Sequence, residues 1–282
     1  MRDFDLSKYL RASRRLDLDG IDFDAVPRHP LSREEIRTLT YMMDIETHTV
    51  IYLRDLLNTP ASYDPEVTAF LSLWVYEEFW HGEALGRFLQ AAGERFSPER
   101  PAVIRRASRT KDLFSSMSTM IAARTLKDFI AVHMTWGAMN ELSTLKGYHR
   151  VVAKTRHPIL VELLGRIVKD ERRHYAFYYN QARMRLDGNA RAQRLVRWVL
   201  DKLWAPVGSG VRPQEETDFV VLHLFGDEPG RAAVREMESE LSKLPGLEGM
   251  RLMRRAMMRA ERRARTVPAF RPAGIPVAAS LA

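Results

Sequence analysis

The pattern Glu-x-x-His occurs twice in this chain, as Glu78-Phe79-Trp80-His81 and as Glu171-Arg172-Arg173-His174, and it constrains the fold more than any other feature. On a helix, residues three apart lie ~60° from one another around the axis and share a face, so each motif converges a carboxylate and an imidazole on one point. Of the eight histidines, only His81 and His174 follow a glutamate at this spacing. Each motif also has a glutamate upstream in an apolar-periodic stretch: Glu46 lies 32 residues before Glu78, and Glu141 lies 30 residues before Glu171. The order helix(Glu), helix(Glu-x-x-His), stated twice, is the ligand inventory of a carboxylate-bridged di-iron or di-manganese centre inside a four-helix bundle. Solvated helix-face charge is the bland alternative, and it leaves the register of the four positions unexplained. Four carboxylates aimed into one interior are costly unless paired, and two divalent cations cancel their charge.

Composition narrows the chemistry. There is no cysteine, which removes disulfides, thiolate metal sites and cysteine nucleophiles. Oxygen and nitrogen ligands remain, and these suit iron or manganese. In 282 residues, 45% are hydrophobic and 28% charged, as in an ordinary globular protein with a sizeable core. The opening MRDFDLSKYLRASRRLDLDG has no apolar core of a signal peptide, and no membrane-length apolar run follows, which points to the cytoplasm. The formal net charge of +8 favours an acidic partner, without choosing among nucleic acid, anionic lipid and an acidic carrier protein.

Along the chain, residues 1–31 read as an irregular N-terminal arm. Ser32 and Glu35 form a capping box that opens a helix from Arg33 to Leu57. Asn58-Thr59-Pro60 stops it, and Asp64-Pro65 opens a second helix that runs to Ala92 before Gly93. After a loop with Pro98 and Pro101, helix is expected from Lys111 to Ala153, then from Ile159 to Leu186, with His157-Pro158 as the break. Residues 189–204, 214–225, 231–244 and 248–265 read as further helices. No alternating strand pattern occurs. The expected architecture is all-α, a ferritin-like four-helix bundle with additional C-terminal helices. Residues 32–225 form the metal-binding bundle with its flanking helix, 226–266 the basic C-terminal helices, and 267–282 a disordered tail. Glu77 is expected on an outer face, turned ~100° from Glu78. Asp170 is either another surface charge or an acceptor for a ligand histidine N–H.

Several stretches resemble the soluble acyl-acyl-carrier-protein desaturases, a di-iron family of the ferritin-like superfamily. Met42-Met43-Asp44-Ile45-Glu46, with Tyr52 and Leu57-Asn58, is similar to the family's first ligand helix. Trp74-Val75-Tyr76-Glu77-Glu78-Phe79-Trp80-His81-Gly82 matches the second, Asn140-Glu141-Leu142-Ser143-Thr144 the third, and Asp170 through Tyr178 the fourth. The similarity covers about residues 35–190 and departs at Phe79-Trp80, at the short connector 58–65 and in the basic C-terminal helices. The resemblance implies that Glu46, Glu78, His81, Glu141, Glu171 and His174 ligate two iron ions cycling between Fe2+ and Fe3+, with manganese at one position as a variant. It implies O2 as co-substrate, Thr144 as an aid to oxygen or proton delivery, and removal of two vicinal hydrogens from an acyl chain. The implied partners are an acyl carrier protein or another acyl thioester and an electron donor such as a ferredoxin, acting on a homodimer. Nucleic acid and a membrane span are not expected.

Neighbouring chemistries fit less well. Di-iron arylamine N-oxygenases carry a histidine one turn before the fourth-helix glutamate, where this chain has Ile167. The small subunit of ribonucleotide reductase has a radical tyrosine four residues after the first ligand histidine, where this chain has Leu85. Another di-iron oxygenase, a hydroxylase or N-oxygenase of biosynthetic tailoring, is the alternative reading. Iron storage does not use extra C-terminal helices, and a metal-free interaction protein leaves the carboxylates uncompensated.

Overall fold

The computed structural model describes residues 4–108 and 127–266. Their regular structure is helical, with a lone bridge between Ser209 and Arg212 as the only β pairing among the described residues. The helices are α1 (Leu6–Ala12), α2 (Arg33–Glu46), α3 (Thr49–Leu57), α4 (Pro65–Ala91), α5 (Phe129–Lys154), α6 (Pro158–Leu186), α7 (Ala190–Leu203), α8 (Gln214–Phe225), α9 (Glu228–Leu241) and α10 (Leu252–Thr266). Residues 100–108 are also helical. Residues 111–126 of the helix expected from Lys111, and the tail from 267, lie outside the described residues.

Local chemistry sets the ends. Ser32 accepts from the Glu35 backbone while Glu35 reaches back to the Ser32 N–H, so the capping box forms as its residues dictate. Asp64 caps α4 through the Glu66 and Val67 amides with Pro65 at the first turn, and His157 caps α6 through the Leu160 amide ahead of Pro158.

Two expectations are corrected. The helix expected to run unbroken from Arg33 to Leu57 is interrupted at Thr47-His48, immediately after Glu46. There the Thr47 and Thr49 hydroxyls donate to the Asp44 and Glu46 carbonyls, and Arg105 donates to the Thr47 carbonyl at 2.7 Å. Threonine hydroxyls compete with amides for carbonyls, and a run of β-branched residues is poor helix former, so the turn opens here. The arm is also more regular than its composition suggests. Asp5 caps α1 through the Lys8 amide at 2.9 Å, and residues Phe23–Arg28 form a 3-10 helix.

Helix α5 packs most extensively on α6 and α4 on α2, and α4 also touches α6. The arm lies against α4 and α6, while α8 bridges α2, α5 and α10. One hydrophobic core runs continuously from Tyr9 to Ala260. Close approach of α2 and α4 depends on Gly82. A Cβ there would lie 2.6 Å from Thr47 Cγ2 and 3.3 Å from the Thr47 nitrogen. Gly82→Ala is therefore expected to destabilise the fold by roughly 1–3 kcal/mol through overpacking, read as a lower urea midpoint.

Candidate metal centre

All six glutamates and histidines expected as ligands converge in the interior. Glu46 ends α2, Glu78 and His81 lie on α4, Glu141 on α5, and Glu171 and His174 on α6. Each is buried, and His81, Glu171 and His174 are 0% exposed. Their donor atoms form two overlapping groups, Glu46–Glu78–His81–Glu171 and Glu78–Glu141–Glu171–His174, each with its atoms within 4.8 Å of one another. Glu78 and Glu171 belong to both. The site is thus a pair of half-sites with two shared carboxylates.

The histidines face the cluster through Nδ1. His81 Nδ1 lies 3.3 Å from Glu171 and 3.7 Å from Glu46, and His174 Nδ1 lies 3.0 Å from Glu78 and 3.8 Å from both Glu141 and Glu171. Their Nε2 atoms face outward to a second pair of acids: His81 Nε2 to Asp170 at 3.2 Å and His174 Nε2 to Glu77 at 2.8 Å. Arg173 joins the two acids, reaching Glu77 at 2.8 Å and Asp170 at 2.7 Å. Trp74 donates its indole N–H to Glu141 at 3.0 Å, and the Tyr148 hydroxyl donates to Glu46. Outer oxygens and nitrogens are held; the inner ones are left.

Those inner atoms test whether a cation fits. Glu46 Oε2, Glu78 Oε1, both Glu171 oxygens and Nδ1 of both histidines are buried and make no well-formed hydrogen bond among the described residues. With Nε2–H donating outward, each Nδ1 turns a lone pair toward carboxylate lone pairs. Acceptor facing acceptor in a dry interior requires a proton or a metal between them. Without metal, burial alone would lower both imidazoles, but the surrounding carboxylates of Asp170, Glu171 and Glu46 raise His81 well above its usual value, and those of Glu171, Glu77 and Glu78 do the same for His174. Burial raises Glu78 and Glu141, and the neighbouring glutamate charges add to it. The donor set of carboxylate oxygens and imidazole nitrogens, each histidine backed by an outer carboxylate, is one that metal ions take. These groups could hold a metal ion, and they fit one.

Sequence reasoning misplaced Glu77. It is 1% exposed rather than on an outer face, because the ~100° turn from Glu78 points it at α6 and the arm. Burial would raise its carboxyl, but the His174 hydrogen bond and charge, with Arg173 and Tyr9, bring it down to about 2. Asp170, left open between two roles, accepts from His81. Tyr148 was not singled out, although it lies two turns after Glu141 on the same face.

An apolar cavity of about 810 Å³ adjoins the cluster. Glu46, Glu78 and Glu141 line one part of it, and Trp198 and Leu203, 58% and 60% exposed, line another. Met42, Ile45, Leu56, Phe129, Val132 and Trp136 are among the walls. Thr144, half-buried one turn after Glu141, lines it as well. No protein-family model matches this chain, and no curated protein matches it either. Among the described residues, no helix is long and apolar enough to cross a membrane.

Proposed function

We propose that the chain is a ferritin-like di-iron oxidase that removes two vicinal hydrogens from a carrier-bound fatty acyl chain, with O2 as oxidant. The observation that carries this reading is the apolar cavity bounded by three of the six ligand residues. A volume of this size, with predominantly apolar walls, suits an aliphatic substrate brought beside the centre. The balanced reaction converts –CH2–CH2– and O2, with two electrons and two protons, into –CH=CH– and two waters. The electrons come from a one-electron carrier such as a ferredoxin. Glu46, Glu78, His81, Glu141, Glu171 and His174 would hold two iron ions, which supply O2 binding and its reduction when bound.

The protein's own residues do the rest. Trp74 and Tyr148 fix the outer oxygens of Glu141 and Glu46, so the carboxylates present one face inward. The apolar walls exclude water from the reacting carbons. Thr144, one turn after Glu141, lines the cavity, and its hydroxyl would serve to pass a proton. In the reduced protein given O2 and saturated acyl-carrier substrates, the released chains should lose two mass units by mass spectrometry. Thr144→Val should keep the metal content and raise the share of O2 consumed without product. Gain of an oxygen atom would make the protein a hydroxylase, and ferric oxide without organic product would make it a storage protein.

The acidic carrier belongs to this proposal, but the basic C-terminal helix offers it less charge than its sequence suggests. Arg254, Arg255 and Arg263 pair internally with Glu238, Asp201 and Asp218. Arg251, just before this helix, and Arg259 on it are exposed. Reversing these two should weaken carrier binding at low salt and make little difference at high salt. Unchanged affinity at low salt would leave α10 as a solvated face.

A further inference from the structure

The N-terminal arm reaches the metal centre through one side chain. Helix α1 carries Tyr9 into the core at 2% exposure, where its ring packs on Phe70 with centroids 5.1 Å apart and meets His174 edge-on at 6.4 Å. The Tyr9 hydroxyl donates to Glu77 Oε2 at 2.8 Å, the same oxygen that accepts from His174 Nε2 at 2.8 Å. Glu77 Oε1 accepts from Arg173, which extends the chain of contacts through Asp170 to His81. Burial pushes the Tyr9 phenol well above its usual value, so it remains a donor throughout the physiological range.

We propose that Tyr9 is a positioning residue of the metal centre: through Glu77 it fixes the His174 ring, so docking of the N-terminal arm and metal binding at the His174 half-site are coupled. The proposal rests on the metal-centre reading above and not on the identity of the substrate. Glu77 is gripped by three donors, from Tyr9, Arg173 and His174. Removing one frees the carboxylate to turn about its terminal torsion, and the imidazole that depends on it loses its fixed orientation. Outer partners of ligand histidines commonly carry a factor of about 10–100 in metal affinity. Coupling is reciprocal, so metal must favour the docked arm by the factor with which the docked arm favours metal. His81 has its own acceptor in Asp170, so the effect should fall on one half-site.

The test uses the full chain loaded with Fe2+ without oxygen and then challenged with a chelator. Tyr9→Phe keeps the ring and its packing while removing the hydroxyl. It should accelerate release of one of the two ions by about 10–100-fold and leave the other within about twofold. Glu77→Gln should show the same selectivity. In protein substituted with Co2+, Tyr9→Phe should also shift the visible ligand-field bands, which a mere loss of fold stability would not do. Arg11, Arg14 and Arg15 are exposed in the arm, so trypsin reads its docking in the unmutated chain. Cleavage there should slow on metal loading, and Tyr9→Phe should abolish that difference. Equal release rates in wild type and Tyr9→Phe, or arm cleavage indifferent to metal, would overturn the proposal alone. Failure of the unmutated chain to hold iron would overturn it together with the metal-centre reading.

Discussion

Replacing Glu171 with alanine is expected to abolish binding of both metal ions, whereas Glu46→Ala should remove only one. The difference follows from membership: Glu171 contributes an oxygen to each of the two ligand groups, while Glu46 belongs to one. Both Glu171 oxygens face inward without well-formed hydrogen bonds, so the residue has no competing structural role to preserve. Elemental analysis after iron-supplemented expression should give about two ions per chain for the wild type. The stability effect should be as large. With free metal ~1,000-fold above its dissociation constant, each occupied site contributes ~4 kcal/mol, and a variant that binds neither ion loses both contributions. In chelator-treated protein the order reverses for Glu141→Gln. Burial and the Glu171 charge already oppose ionisation of Glu141, so removing its charge should raise the metal-free melting point while lowering the metal-loaded one. A wild-type chain with no bound transition metal, and no shift in melting point on adding Fe2+ or Mn2+, would sink the metal reading.

The legible part of this site was periodic. Glu-x-x-His at helical spacing, repeated with a glutamate upstream each time, is a pattern that one sequence can display, because it is written within single helices. Capping at Ser32 and Asp64 was legible for the same reason: a cap is a contact between residues three or fewer apart. What escaped is set between helices. Whether Glu77 faces solvent or His174 depends on α6 and the arm flanking α4, and no spacing within α4 reports that. Tyr9 and Glu77 are far apart in the chain and meet only in the fold. The break after Glu46 had a local signal in Thr47-His48-Thr49-Val50-Ile51, but helix propensity is weak enough for either outcome. Tertiary contacts decided it, with Arg105 taking the Thr47 carbonyl.

The Phe79-Trp80 pair, a departure from the desaturase-like pattern, also has a structural account. Trp80 is half-buried, with Arg15 of the arm stacked over its ring at 4.1 Å and Tyr76 and Phe79 against it. Trp80 thus meets the arm, while Phe79 is exposed, turned away from the buried ligands of α4. The departure at this pair therefore bears on how the arm is held and not on the ligand set. This connects the sequence departure to the same segment that places Tyr9 on Glu77.

Acid should destabilise this protein in part through a group outside the ligand set, His133. It lies in α5, buried in the cavity wall, with the Tyr52 hydroxyl 2.9 Å from its Nδ1. Burial, with the charge of Arg185 adding to it, lowers its value from 6.5 to about 3. The unfolded chain therefore binds a proton at His133 between about pH 6.5 and 3, where the folded protein does not. Stability rises with pH wherever the unfolded state binds more protons, so this contribution is complete above 6.5 and is lost as the pH falls through that window. At pH 4.5, two units below the unfolded value, the loss is about 3 kcal/mol at ~1.4 kcal/mol per unit. His133→Gln cannot titrate and keeps a polar group for Tyr52. It should be less stable than the wild type at pH 7.5 by about 1 kcal/mol, from poorer packing and hydrogen bonding. Toward pH 4.5 the two curves should cross, with the variant the more stable. Chelator-treated samples of both proteins remove the contribution of metal release, and urea denaturation at each pH gives the difference directly. Parallel curves for wild type and variant across that range would show that His133 takes up its proton without unfolding the protein, and that the cavity wall tolerates a cation.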